Sequence, residues 1–149
     1  MLEDSNVIHP NFTMNPQHAE VRLHGEGGFR ISRLFSSHII AMLQDFQPEI
    51  LILMIGDNDV SPSARTSYAD AAHTIEDNLL NAVLTLQSKV TSIQKVILSQ
   101  LLPRHTGIYF RSGYNKIAYY VNDLLRSAVA AEQRLLRVFR FKDLFSTGR

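Results

Sequence analysis

No cysteine occurs among the 149 residues, which removes disulfides, a thiol nucleophile and thiolate metal ligation from the chemistry open to this chain. That absence suits either side of a membrane and leaves the redox compartment open. Excess charge is lacking too. Fifteen Lys and Arg against 14 Asp and Glu leave a net charge of +1, too little to steer the chain towards nucleic acid or an anionic membrane. Met1 to Pro10 holds no basic stretch leading into a long apolar one, so no signal peptide is expected. No apolar run is long enough to span a bilayer, and the default compartment is the cytoplasm. There is no internal repeat and no low-complexity tract.

Several familiar site patterns are missing as well. Gly25-Glu26-Gly27-Gly28 lacks the third spaced glycine of a dinucleotide loop, and Glu26 would repel a pyrophosphate. No two histidines have the spacing of a metal site, so neither metal nor cofactor is expected. Arg134, Arg137, Arg140 and Lys142 lack interleaved aromatics and read as a solvated basic edge, not a nucleic-acid surface. Asn11-Phe12-Thr13 fits a glycosylation acceptor, a pattern short enough to arise by chance.

What is present is the composition of one ordinary domain, residues 1–149, with 45% hydrophobic and 19% charged residues and enough chain to bury a core. The most informative stretch is Glu49-Ile-Leu-Ile-Leu-Met-Ile-Gly56-Asp57-Asn58-Asp59. Its apolar part has no polar alternation, which predicts a strand covered on both faces, as in a parallel sheet between helical layers. Ala19 to His24 predicts an earlier strand running into the glycine turn. Apolar residues from Ile31 to Phe46 fall at helical spacing, closed by Pro48. A second helix is marked by Ile75, Leu79, Val83, Leu86 and Val90, then a strand from Lys95 towards Pro103, a helix from Tyr114 to about Ala130, and a strand between Leu135 and Phe145. Alternating strands and helices imply right-handed crossovers and a parallel sheet. Met1-Leu2 reads as the end of a strand whose body lies upstream, and Ser146 to Arg149 stops just past a strand, so both ends look cut.

In a parallel sheet the turns after each strand gather at one edge, where ligands bind. Here they are Asp4-Ser5, Gly27-Gly28, Gly56 to Asp59 and the Pro103-Arg104 region. A serine, a backbone N–H at a glycine and an asparagine amide at such an edge can surround one acyl carbonyl, the serine attacking while the donors hold the oxyanion. Gly-Asp-Asn-Asp is equally good turn material, because small polar side chains bond their own backbone.

These residues resemble the SGNH, or GDSL-type, serine hydrolases over most of the chain. Glu3-Asp4-Ser5 is similar to the Gly-Asp-Ser of that family, Gly28 matches its turn glycine, and Gly56-Asp57-Asn58-Asp59 matches its Gly-x-Asn-Asp in full. Leu101-Leu102-Pro103-Arg104 followed by Tyr114-Asn115 is similar to its later segment. The resemblance implies a flavodoxin-like three-layer α/β/α fold, here incomplete, and a small-molecule ester substrate. It makes Ser5 the nucleophile and gives the oxyanion hole to Ser5 N–H, Gly28 N–H and Asn58. Two departures stand out. Glu3 replaces the first glycine, and the closing Asp-x-x-His, source of the base and its orienting acid, is not found: the nearest segment is Asp143-Leu144-Phe145-Ser146. Truncation before that block is the favoured account, and little or no turnover is expected, because a serine hydroxyl without a base is a poor nucleophile.

His9, His18, His24, His38 and His73 read as surface or scaffold residues, and His105 alone lies where a substitute base would be tested. Two other functions are compatible with the residues. Asp57-Asn58-Asp59-Val60, with Ser99 one strand later, fits the nucleophile turn of a Mg²⁺-dependent haloacid-dehalogenase-like phosphatase using Asp57 and Asp59. A non-catalytic relative would use the same edge to hold an acyl or glycan group.

Overall fold

The computed structural model describes residues 2–3, 20–63, 65–104, 113–131 and 136–139. Five parallel strands, β1 (Leu2–Glu3), β2 (His24–Gly25), β3 (Ile50–Met54), β4 (Lys95–Ser99) and β5 (Leu136–Phe139), form one sheet in the order β2-β1-β3-β4-β5. Three α-helices accompany them among the described residues: α1 (Ser37–Phe46), α2 (Tyr68–Lys89) and α3 (Tyr114–Ala131). The class is α/β with a parallel sheet.

The sheet is anchored at its centre, where Ile50↔Lys95 through Leu53↔Leu98 pair β3 with β4. From β1 the chain moves out to β2, returns across β1 to β3, and then advances through β4 to β5. The direction therefore reverses between β1 and β3. In open α/β sheets that reversal opens a crevice at the strands' carboxyl ends, flanked by the segments that follow the two strands.

Burial alternates along the inner strands. Leu51, Leu53, Val96 and Leu98 are buried and share one core with Leu34, Ile39 and Leu43, with Leu79, Val83 and Leu86 of α2, and with Ile117, Val121 and Leu125 of α3. On the opposite face Ile52, Met54 and Ile97 are half-buried, and Ile50 keeps 56% of its surface exposed. Among the described residues the two faces of β3 and β4 thus differ in depth of burial. The crossovers from β2 through β5 all advance in one direction, and right-handed connections then place α1, α2 and α3 on the same side.

Three boundaries also differ from the sequence reading. Of the strand expected over Ala19 to His24, His24 alone is paired among the described residues, and the pairing runs on to Gly25, with Leu2↔His24 and Glu3↔Gly25 in register. The continuous apolar period from Ile31 to Phe46 breaks into a 3-10 helix, Ile31–Phe35, and α1. Ser36 causes the break: its backbone is extended (ψ 145°) and its hydroxyl accepts the Ile39 N–H at 3.4 Å as the N-cap of α1. β4 stops at Ser99, short of Leu102, since side chains of α3 take over the backbone beyond it. Arg140 to Phe145 of the expected last strand, and Asp143 to Ser146, lie outside the described residues.

Candidate functional site

Gly56 is where the buried strand turns. Its φ of +114° lies in the region that disfavours side chains, and an added Cβ would sit 3.0 Å from Leu101 Cδ2. The turn passes into a single 3-10 turn, Asp57–Asp59, closed by the Asp59 N–H donating to Gly56 O at 3.0 Å. Three consecutive polar side chains then fan out from it, and each one reaches a different piece of backbone or side chain.

Asn58 Nδ2 donates to Phe29 O at 3.1 Å, and Asp59 Oδ2 accepts the Ile31 N–H at 3.1 Å. Both bonds run to the segment just after Gly28, whose own φ is +69°. No neighbour would obstruct a Cβ at Gly28, so glycine is favoured there by backbone conformation alone. Asp57 Oδ1 accepts from Tyr114 Oη at 2.6 Å, and the same hydroxyl lies 3.4 Å from Leu102 O. The Arg104 guanidinium stacks over the Tyr114 ring at 4.7 Å. A hydrogen-bonded chain therefore links the turns after β2, β3 and β4 into one edge.

Burial shapes the protonation of two groups on that edge. Tyr114, 1% exposed, has its phenol pushed well above its ordinary value by burial and then by the bond to, and charge of, Asp57. It stays a donor. Asp59 is also held above its ordinary value, because burial of its carboxylate outweighs the Ile31 N–H and the positive charge of Arg30. A carboxyl raised on folding weakens the fold as it ionises: the loss is absent below the unfolded-state value, about 3.9, and complete above the folded one. Asp59→Asn, which keeps an acceptor for Ile31, is accordingly expected to match or exceed the wild type in stability at pH 7. That advantage should close as the pH falls below about 4, measured by urea unfolding at stepped pH.

The turn after β4 is held by α3. Asn122, 6% exposed, accepts the Leu101 N–H at 2.8 Å and donates to Leu101 O at 3.0 Å. Asn115 repeats the pattern on Arg104, accepting its N–H at 2.7 Å and donating to its carbonyl at 2.8 Å. Two amides seven positions apart, two helical turns, thus stand in for a neighbouring strand where β4 has run out of partner.

Gly28 and Asn58, two of the residues singled out from sequence, are brought together at this edge. Ser5 follows β1 by two residues in the chain and lies outside the described residues, as do His9, His18 and His105. Of the other histidines, His73 is exposed and its Nδ1 lies 3.3 Å from Glu76 Oε2. Asp70-Ala-Ala-His73 spells Asp-x-x-His, a match the sequence reading passed over. It opens α2, where Asp70 is occupied with the N-cap, accepting from Ser67 Oγ at 2.6 Å. His24 and His38, read from sequence as scaffold, converge with Glu26: His24 Nε2 lies 3.0 Å from Glu26 Oε1, and the imidazole centroids are 6.0 Å apart. Only the fold could show this, since His38 is separated from the other two by the 3-10 helix.

Two clefts differ in relevance. One of about 460 Å³ lies between Gln44, Gln47 and Lys89–Ser92, away from the strands' carboxyl ends. A smaller one of about 320 Å³ is bordered by Asp59, Ile31, Phe35 and the Asn78 and Asn81 side of α2. The second adjoins the edge where ligands bind in such sheets. Among known proteins, no family model and no curated sequence matches this chain.

Proposed function

We propose that the chain is an SGNH-type serine hydrolase domain acting on carboxylic esters, with the flavodoxin-like three-layer architecture of that family. Ser5 is the nucleophile, and the oxyanion is held by the N–H groups of Ser5 and Gly28 and by the Asn58 amide. The observation that carries this reading is the Asn58 Nδ2 bond to Phe29 O at 3.1 Å, which seats the amide one residue from Gly28. Donors that the reading draws from two separate turns are thereby neighbours. The reversal of strand order between β1 and β3 adds support, because the segments carrying Ser5 and Asn58 follow those two strands.

In the proposed step Ser5 Oγ bonds to the acyl carbon, the carbonyl π pair moves onto oxygen, and the alcohol leaves with a proton. Water then releases the acyl group. The family's base comes from a closing Asp-x-x-His that is not found here, the nearest segment being Asp143-Leu-Phe-Ser146, so both proton transfers are expected to be slow. The phosphatase alternative is weaker: it needs Asp57 and Asp59 for phosphorus and Mg²⁺, whereas one holds Tyr114 and the other Ile31.

Covalent capture is the sharper test: it needs no turnover, and a single slow attack by a serine without its base still accumulates as adduct over a long incubation with excess probe. A fluorophosphonate transfers its phosphorus to a serine oxygen as fluoride leaves. Incubated with the full chain, it is expected to modify Ser5, located by peptide mass spectrometry, and to leave Ser5→Ala unmodified. Labelling that is absent, or that persists in Ser5→Ala, sinks the hydrolase reading. Ligand binding without labelling would point to a non-catalytic relative, and Mg²⁺-dependent release of phosphate from p-nitrophenyl phosphate to the phosphatase.

A further inference from the structure

We propose that His24, Glu26 and His38 form a binding site for a divalent transition metal, with Zn²⁺ the best fit. His24 opens β2, Glu26 follows its last residue, and His38 lies in the first turn of α1. One donor atom from each residue lies within 4.8 Å of the others, and His24 Nε2 and Glu26 Oε1 are already 3.0 Å apart. Tetrahedral Zn²⁺ with bonds of about 2.0–2.1 Å needs donors roughly 3.4 Å apart. The remaining closure falls to His38, whose side chain is exposed and has room to turn.

The donor set is chemically selective. Two imidazoles and one carboxylate are borderline ligands that suit Zn²⁺ and leave a fourth position open, while Ca²⁺ and Mg²⁺ prefer all-oxygen shells. The carboxylate is oriented from behind: Arg33 lies 3.5 Å from Glu26 Oε2, on the oxygen that does not face His24, and its guanidinium sits 5.8 Å from the centre of the Phe29 ring. Such outer partners hold metal-binding carboxylates in place. Bound metal would tie the end of β2 to the start of α1 across the turn that carries Gly27 and Gly28. The site does not depend on Ser5 and stands apart from the hydrolase reading.

The test is calorimetric titration of the metal-stripped full chain with ZnCl₂, alongside CoCl₂ titration followed in the visible band of four-coordinate Co²⁺. One saturable Zn²⁺ site is expected, with a rise in the unfolding temperature, because the metal binds the folded state. His38→Ala should weaken binding by more than about a hundredfold, since loss of even an outer-shell partner costs roughly 10–100-fold. Glu26→Gln should do the same if His38→Ala fails to fold, and His73→Ala, which alters a separate exposed pair, should bind as the wild type does. Absence of a saturable site, binding undiminished by His38→Ala and Glu26→Gln, or equal loss in His73→Ala overturns the proposal.

Discussion

Asn122→Leu is expected to destabilise the protein by about 2–6 kcal/mol, the sum of two stranded backbone groups at roughly 1–3 kcal/mol each. Leucine has the same branched four-atom skeleton as asparagine, so the substitution leaves no cavity while it removes the amide's donor and acceptor. What is lost is specific: the Leu101 N–H loses its acceptor and the Leu101 carbonyl its donor, both in the buried interior. Water cannot replace them cheaply there. The damage should spread towards the site, because Leu101 packs against the space over Gly56, where the turn to Asn58 begins. Urea unfolding gives the magnitude. A fall in midpoint at constant slope attributes it to the folded state, and a change under 1 kcal/mol would show that the two bonds are dispensable.

Asn58→Ala is expected to slow phosphonylation of Ser5 by roughly a hundred- to a thousandfold, the usual loss when one oxyanion donor is removed. The phosphonyl oxygen gathers charge as the serine adds, so it probes the same donor as an acyl oxyanion. Stability should fall by far less, about 0.5–1.5 kcal/mol for the neutral bond to Phe29 O. That contrast separates a functional role from a structural one. Equal labelling rates in the variant and the wild type would remove Asn58 from the oxyanion hole. A collapse of the fold would mean that its bond to Phe29 is the larger part of its work.

Much of the framework was legible in sequence because the physics behind it is local. The α2 stripe, with Ile75, Leu79, Val83 and Leu86 buried, follows from helical period alone, as does the core face of α3 through Ile117, Val121 and Leu125. The apolar run ending at Gly56 placed β3 and its polar turn for the same reason. The break at Ser36 was not legible, because an uninterrupted apolar period carries through it and only the capping hydroxyl reveals the change of direction. Nor could the end of β4 be read. Leu101 and Leu102 look like strand residues, and what takes Leu101 out of the ladder is an amide 21 positions away.

The candidate site divides along the same line. Sequence by itself determined the parallel α/β class, the glycine-terminated strand and the grouping of Gly28 and Asn58 at one sheet edge, since hydrophobic period and strand polarity need no distant partner. Tertiary structure alone decided what each polar side chain does there. Asp57 is bonded to Tyr114 and Asp59 to Ile31, and His24, Glu26 and His38 meet across a turn. Hydrogen bonds and ligand sets form between groups a few ångströms apart in space, and spacing along a chain measures that distance only within one helix or strand.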